Sequence, residues 1–170
     1  MEISSTADVP SGTGLGSSSS FTVGLLHTLY CYQEKFVSKA QLAENACEIE
    51  IVRTGAPIGK QDQYAAAFGG LNLISFHPDD TVSVEPVVTK GSTLKQLQDN
   101  LMFFYTGYTH DANEILTEQN ENIIKAEQRG KKIQNLLDMC GLARSMKHSL
   151  EENNLDDFGK MLNEGWNKKR

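Results

Sequence analysis

Between residues 8 and 20 the chain reads Asp8-Val9-Pro10-Ser11-Gly12-Thr13-Gly14-Leu15-Gly16-Ser17-Ser18-Ser19-Ser20, and the apolar residues Phe21, Val23, Leu25, Leu26 and Leu29 follow at once. Three glycines at alternate positions remove the Cβ atoms that would hold a ligand away from the backbone. A helix opening directly behind them presents free N–H groups and a partial positive charge of about half an elementary unit. Together these features form a cradle for an anion, and serine hydroxyls at the helix start add donors or oxygen ligands for Mg²⁺. A flexible Gly/Ser linker is the competing reading. Such a linker has no reason to run straight into an apolar helical pattern, nor to carry Leu15 inside its glycines. No Lys-Ser/Thr follows the glycines, as a Walker-type loop requires, and the spacing is not G-x-G-x-x-G. The segment therefore indicates a nucleotide-phosphate site of another type.

The rest of the chain supplies a folded frame for such a loop. Of 170 residues, 39% are hydrophobic and 22% charged, which is the composition of a globular protein and excludes disorder as its overall state. A net charge of −6 with scattered basic residues leaves no electrostatic footprint for nucleic acid. The longest apolar run, Leu101 to Tyr105, is far short of the ~20 residues of a membrane span. Met1 is followed by Glu2 and serines without a secretory pattern, so a cytoplasmic location is expected. Cys31, Cys47 and Cys140 form no C-x-x-C pair and read as reduced, mostly buried thiols.

Ser38 with Gln41 three residues on forms a capping box for a second helix, which should run to about Arg53, where Thr54, Gly55 and Pro57 stop it. A short helix is expected between Gly59 and Phe68, closed by Gly69-Gly70. Leu71, Leu73 and Phe76 suggest one strand and Val82, Val84, Val87 and Val88 another, antiparallel across the turn-rich His77-Pro78-Asp79-Asp80. Leu101 to Thr106 reads as a buried strand, and helical periodicity dominates from Asp111. Ile133, Leu136, Leu137, Cys140, Ala143 and Leu150 recur at helical spacing, as do Leu155, Phe158, Met161 and Leu162, and are expected to be core faces. The change of character near residues 89–95 marks a domain boundary.

One carboxylate on the second helix stands out. At ~100° per residue from Leu42, Ala46, Ala43, Cys47 and Ile49 fall at about 40°, 100°, 140° and 340°, and Glu50 at about 80°, inside that apolar arc. Glu48 gathers instead with Gln41, Glu44 and Asn45 on the solvated side. A buried carboxylate costs several kcal/mol unless it is paired or bound to a metal, so Glu50 calls for a cation; the competing readings are a partly exposed edge of the stripe or a salt bridge to a lysine or arginine from another element. Asp62 lies near a helix start, where it serves equally well as a cap or as a reactive group.

Pro10, Ser11, Gly12, Thr13, Gly14, Leu15, Gly16, Ser17, Ser18 and Ser19 together resemble the second signature motif of the GHMP kinases, the family of galactokinase, homoserine kinase and mevalonate kinase. The stretch Gly59-Lys60-Gln61-Asp62-Gln63-Tyr64, running on to Gly70, resembles the G-x-x-D-Q segment of the sugar-directed members. With Phe103-Phe104-Tyr105-Thr106-Gly107, the wording is nearest to D-glycero-D-manno-heptose 7-phosphate kinases and fucokinase-like relatives. The resemblance implies ATP as cofactor, with its phosphates held by Pro10 to Ser19, and Mg²⁺ bound by Ser18 and Glu50. It implies Asp62 as general base or electrostatic anchor beside the acceptor hydroxyl. Lys60, two residues away, either stabilises charge on the transferring phosphoryl group or faces solvent, and Lys60 and Tyr105 are expected substrate contacts.

The fold it implies is α+β and two-domain. Residues 1–92 would be the later part of the N-terminal, ribosomal protein S5 domain 2-like domain, and residues 93–170 the first part of a C-terminal ferredoxin-like domain. Members of the family begin upstream with strands lining the sugar pocket and continue to a third, glycine-rich motif, so the chain is expected to correspond to the middle of a kinase. Sheet edges left unpaired in that way are open to self-association. The expected partner is a sugar or sugar phosphate, with no nucleic acid and no membrane. The expected reaction is phosphoryl transfer to the anomeric hydroxyl of a manno-heptose 7-phosphate. The alternatives are a non-catalytic remnant that binds nucleotide or a partner chain, and a kinase for fucose, galactose or mevalonate.

Overall fold

A computed structural model describes residues 2–8, 13–104 and 129–169. The chain is α+β, and its contacts gather into two compact units, one holding the described residues up to Gly69 and the other those from Gly70 onward.

The first unit is helical. Helix α1 spans Ser17–Tyr32 and opens on Gly16, whose φ of 66° is a left-handed conformation that glycine adopts without steric cost. It closes in a Schellman motif: Glu34 N–H donates to Cys31 O at 3.0 Å and Lys35 N–H to Tyr30 O at 2.9 Å, with Glu34 at φ 57° in the position that usually holds glycine. Helix α2, Lys39–Cys47, is capped by Ser38, whose hydroxyl accepts from Gln41 N–H at 3.2 Å; the Gln41 side chain donates along the helix to Asn45 Oδ1 at 3.1 Å, so only half of the capping box forms. Helix α3 spans Gln61–Phe68 and ends at Gly69, φ 62°. Lys39 Nζ donates to Phe68 O at 2.7 Å, satisfying a carbonyl that the end of α3 leaves open. Val23, Leu42 and Ala46 form the core, with Leu26, Tyr30, Val37, Ala66 and Ala67 packed around them. Ala43 and Ala46 are fully buried because their small side chains let α2 press against α3.

The helical stretch reaches Arg53 as the sequence suggests, but its last turns are π-helical, Glu48–Arg53. The wider winding shows in Thr54 N–H donating to Ile49 O, five residues back, at 2.9 Å. Because it opens only at Glu48, Glu50 stays within the buried arc at 5% exposure while Glu48 faces solvent.

In the second unit, strands β1 (Asn72–Phe76) and β2 (Val82–Pro86) pair antiparallel, Ile74 opposite Val84 and Phe76 opposite Val82. The turn is fixed by the Asp79 carboxylate, which accepts from Thr81 N–H at 3.1 Å and from Thr81 Oγ1 at 2.6 Å, and by Asp80 at φ 66°. Helix α4 spans Gly91–Asn100, α5 Arg129–Glu151 and α6 Leu155–Lys169. The last two form a hairpin: Asn154 N–H donates to Ser149 O at 2.8 Å, Asn153 takes the left-handed position at φ 61°, and Asn154 Oδ1 accepts from Asp157 N–H at 3.1 Å to start α6. Lys168 meets Asp138 across the hairpin at 2.9 Å, and Lys147 joins α5 to Glu85 of β2 at 2.7 Å.

Three expectations need correction. Residues 101–104, read as the start of a buried strand, are exposed and outside any strand, because none of the described strands takes up their backbone groups; Tyr105 and Thr106 lie outside the described residues. The α5 residues Ile133, Leu136 and Leu137 keep their helical spacing, yet all are more than 40% exposed, since a helical hairpin covers only one face of each member. Of the three cysteines, all unpaired, only Cys47 is buried, and Cys31 and Cys140 sit on exposed faces of α1 and α5.

Among the described residues no helix is long and apolar enough to cross a membrane.

Candidate functional site

Local chain geometry sets the site at the N-terminus of α1. Gly14 and Gly16 both take positive φ, 74° and 66°, which turns the chain sharply into the helix and leaves the backbone amides of the first turn unpaired within it. The N-cap, Gly16, has no side chain to cap this end and the first turn of α1 carries no acidic residue, so nothing within the described part of the helix itself offsets its positive pole. A Cβ placed on Gly14 would meet nothing within 4 Å, so the approach over that residue is open.

Two acidic side chains reach this pole from other elements. Glu50, on the π-helical turn, accepts from Ser18 Oγ through Oε1 at 2.6 Å, across 32 residues of sequence. Its other oxygen, Oε2, accepts from Gln63 Nε2 at 2.6 Å. Asp62, in the first turn of α3, lies against Gly16: a Cβ there would stand 3.2 Å from both Asp62 Cγ and Oδ2. The structure thus brings together Gly14, Gly16, Ser17, Ser18, Ser19, Glu50 and Asp62. Thr13 and Leu15 belong to the same turn, whereas Pro10, Ser11, Gly12 and Tyr105 lie outside the described residues. Lys60 is the residue at which α3 begins, half-buried, and its charge acts on Cys47.

Among the described residues, neither a lysine nor an arginine bonds the Glu50 carboxylate. Among the described residues, the cation on this turn, Arg53, pairs with the exposed Glu48 at 2.7 Å, while Glu50 holds only a hydroxyl and an amide. Among the described residues there is no group of three or more His, Cys, Asp or Glu side chains able to hold a metal. Magnesium needs none, since it keeps several waters and is usually held by one or two carboxylates together with substrate phosphates. A hydroxyl and a carboxylate side by side at the positive pole of a helix fit that donor set.

Gln63 follows Asp62 on α3. It is fully buried, and among the described residues its Oε1 has no hydrogen-bond partner. A signal was present: Gln63 shares its face of α3 with Ala66 and Ala67, three and four residues on, so the face that packs on the core carries one polar side chain. Nearby, burial pushes the Cys47 thiol up to about 11 and raises Tyr64 in the same direction.

Residues 1–70 match the family described as "GHMP kinases N terminal domain". Among curated proteins, the D-glycero-alpha-D-manno-heptose 7-phosphate kinase of Campylobacter jejuni is 36% identical over 109 residues, 64% of this chain and 32% of its own length. The bifunctional fucokinase/GDP-fucose pyrophosphorylase of Arabidopsis thaliana is 23% identical over 98% of this chain and 16% of its own. A solved D-glycero-D-manno-heptose 1-phosphate kinase from Bacteroides thetaiotaomicron superposes with a TM-score of 0.71 at 30% identity, over 95% of this chain and 45% of that one. The chain spans about a third or less of these curated relatives and under half of that solved chain. Through the family match at its N-terminal end and the fold it shares with a solved sugar kinase, the chain is similar to the GHMP kinases.

Proposed function

We propose that the chain is the phosphate-binding portion of an ATP-dependent sugar kinase, that its acceptor is the anomeric hydroxyl of D-glycero-D-manno-heptose 7-phosphate, and that residues 1–92 and 93–170 belong to its N- and C-terminal domains. The observation that carries the reading is the meeting of Ser18 and Glu50, 2.6 Å apart, at a helix pole that Asp62 also faces. Phosphoryl transfer passes through a loose transition state, so the protein's task is alignment and charge stabilisation.

In this reading the loop from Pro10 to Ser19 holds the ATP phosphates, its amides donating to their oxygens. Ser18 and Glu50 hold Mg²⁺, which when bound offsets the negative charge of the phosphates. Asp62 orients the acceptor hydroxyl and takes its proton, and Lys60 and Tyr105 contact the sugar. Seating Asp62 on Gly16 fixes the distance between the acceptor side and the phosphate side of the reaction. The contact of Asp62 with Gly16, outside its own helix, supports this reading over a cap of α3.

A panel of heptose 7-phosphate, fucose and galactose with ATP tests the proposal. Turnover should depend on the heptose phosphate and vanish in Asp62→Ala. Turnover with fucose would move the assignment toward the fucokinase-like relative, which matches nearly the whole of this chain. Nucleotide binding without turnover on any sugar would refute the enzymatic reading and leave a binding remnant.

A further inference from the structure

We infer that Gln63 is the positioning residue of Glu50 and sets how strongly a divalent ion tightens nucleotide binding; this rests on the kinase reading of the same site. Three observations meet in it. The Glu50 carboxylate is gripped at both ends, by Ser18 Oγ on Oε1 and by Gln63 Nε2 on Oε2, each at 2.6 Å. Of these donors Ser18 sits on the phosphate-binding helix and, as a proposed ligand, must turn its oxygen toward the ion. Gln63 is then the donor left to keep the carboxylate from rotating, and an amide has no charge with which to compete for it.

The second observation is that Gln63 is buried completely, so its conformation is set by packing, and few rotamers are open to it. Its orientation is fixed too: reversing the amide would put Oε1 against a carboxylate oxygen, acceptor facing acceptor. The third is the buried Oε1, which lacks a partner among the described residues. An amide placed for stability would have both ends satisfied or be replaced by an apolar side chain. Here one end is left without a bond so that the other can hold Glu50. Asp62 precedes Gln63 on the first turn of α3, so one short helix delivers both the group facing the acceptor and the group that steadies the metal-binding carboxylate.

The test measures ATP affinity by calorimetry with Mg²⁺ and with EDTA, in the protein and in Gln63→Met, which keeps the side chain's length and removes its donor. Affinity in EDTA should be unchanged, and the gain from Mg²⁺ should fall by about tenfold or more, the range typical of residues that orient metal ligands. In the Glu50→Gln background Gln63→Met should have no further effect, because it acts through Glu50. Should Gln63→Met fail to fold, Gln63→Asn, which keeps the amide but falls one methylene short, is read in the same way. A full Mg²⁺ gain in a folded Gln63 variant, or equal losses with and without the ion, would overturn the inference. If Glu50→Gln alone keeps the full gain, or the unaltered protein binds no ATP, the kinase reading fails and this inference with it. Loss in Glu50→Gln without loss in the Gln63 variants would sink only the role of Gln63.

Discussion

Gly16 is held by two separate constraints, and substitution can tell them apart. Its φ of 66° penalises any side chain, and a Cβ there would lie 3.2 Å from the Asp62 carboxylate, closer than ordinary contact. Gly14 shares the first constraint, φ 74°, but a Cβ there meets nothing within 4 Å. Gly14→Ala therefore measures backbone strain alone, about 1–2 kcal/mol. Gly16→Ala adds the displacement of the Asp62 carboxylate by a few tenths of an ångström and should cost more than Gly14→Ala. In Asp62→Ala only Cβ remains, 3.4 Å away, and the two glycine substitutions should then cost the same. Urea unfolding followed by far-ultraviolet circular dichroism reads all four differences. Fluorescence would not, because the single tryptophan, Trp166, lies on α6 in the other unit. Equal costs for Gly16→Ala and Gly14→Ala with Asp62 present, or an excess at Gly16 that survives removal of the carboxylate, would refute the claim that Asp62 is seated on the phosphate loop.

Other outcomes follow from the same geometry. Glu50→Gln should weaken the Mg²⁺ dependence of ATP binding at least tenfold while Glu48→Gln leaves it intact, and equal effects in a metal titration would discredit the separation of the two faces. Cys47, pushed up to about 11 chiefly by burial, should react with iodoacetamide far more slowly than Cys31 and Cys140, its thiolate being about a hundredfold scarcer than that of an ordinary thiol near 9. Because folding raises that value, its contribution to stability is complete below about pH 9 and is lost as the pH climbs toward 11; Tyr64 shifts the same way. The urea midpoint should fall over that interval, and less so in Cys47→Ala. Replacing Glu34, exposed at φ 57° in the Schellman position, by glycine should stabilise the first unit by about 0.5–1 kcal/mol in thermal unfolding.

Local rules carried much of this protein. The glycine spacing fixed the turn into α1, Ser38 and Gln41 fixed the start of α2, and the alternating valines with an Asp-rich turn fixed the β1–β2 hairpin, because each depends on neighbours a few residues apart. Periodicity also placed Glu50 on a buried face, although it gave no sign that the winding there is π rather than α, a choice that rests on how the turn packs. What lay beyond the sequence was which groups meet across long separations. Ser18 and Glu50 stand 32 residues apart, and only the packing of α1, α2 and α3 around Val23, Leu42 and Ala46 brings their oxygens together. The same packing seats Asp62 on Gly16 and turns Gln63 inward. The exposure of Leu101 and Ile133 was equally hidden, since an apolar residue announces a preference for burial and says nothing of whether a partner surface is there to cover it.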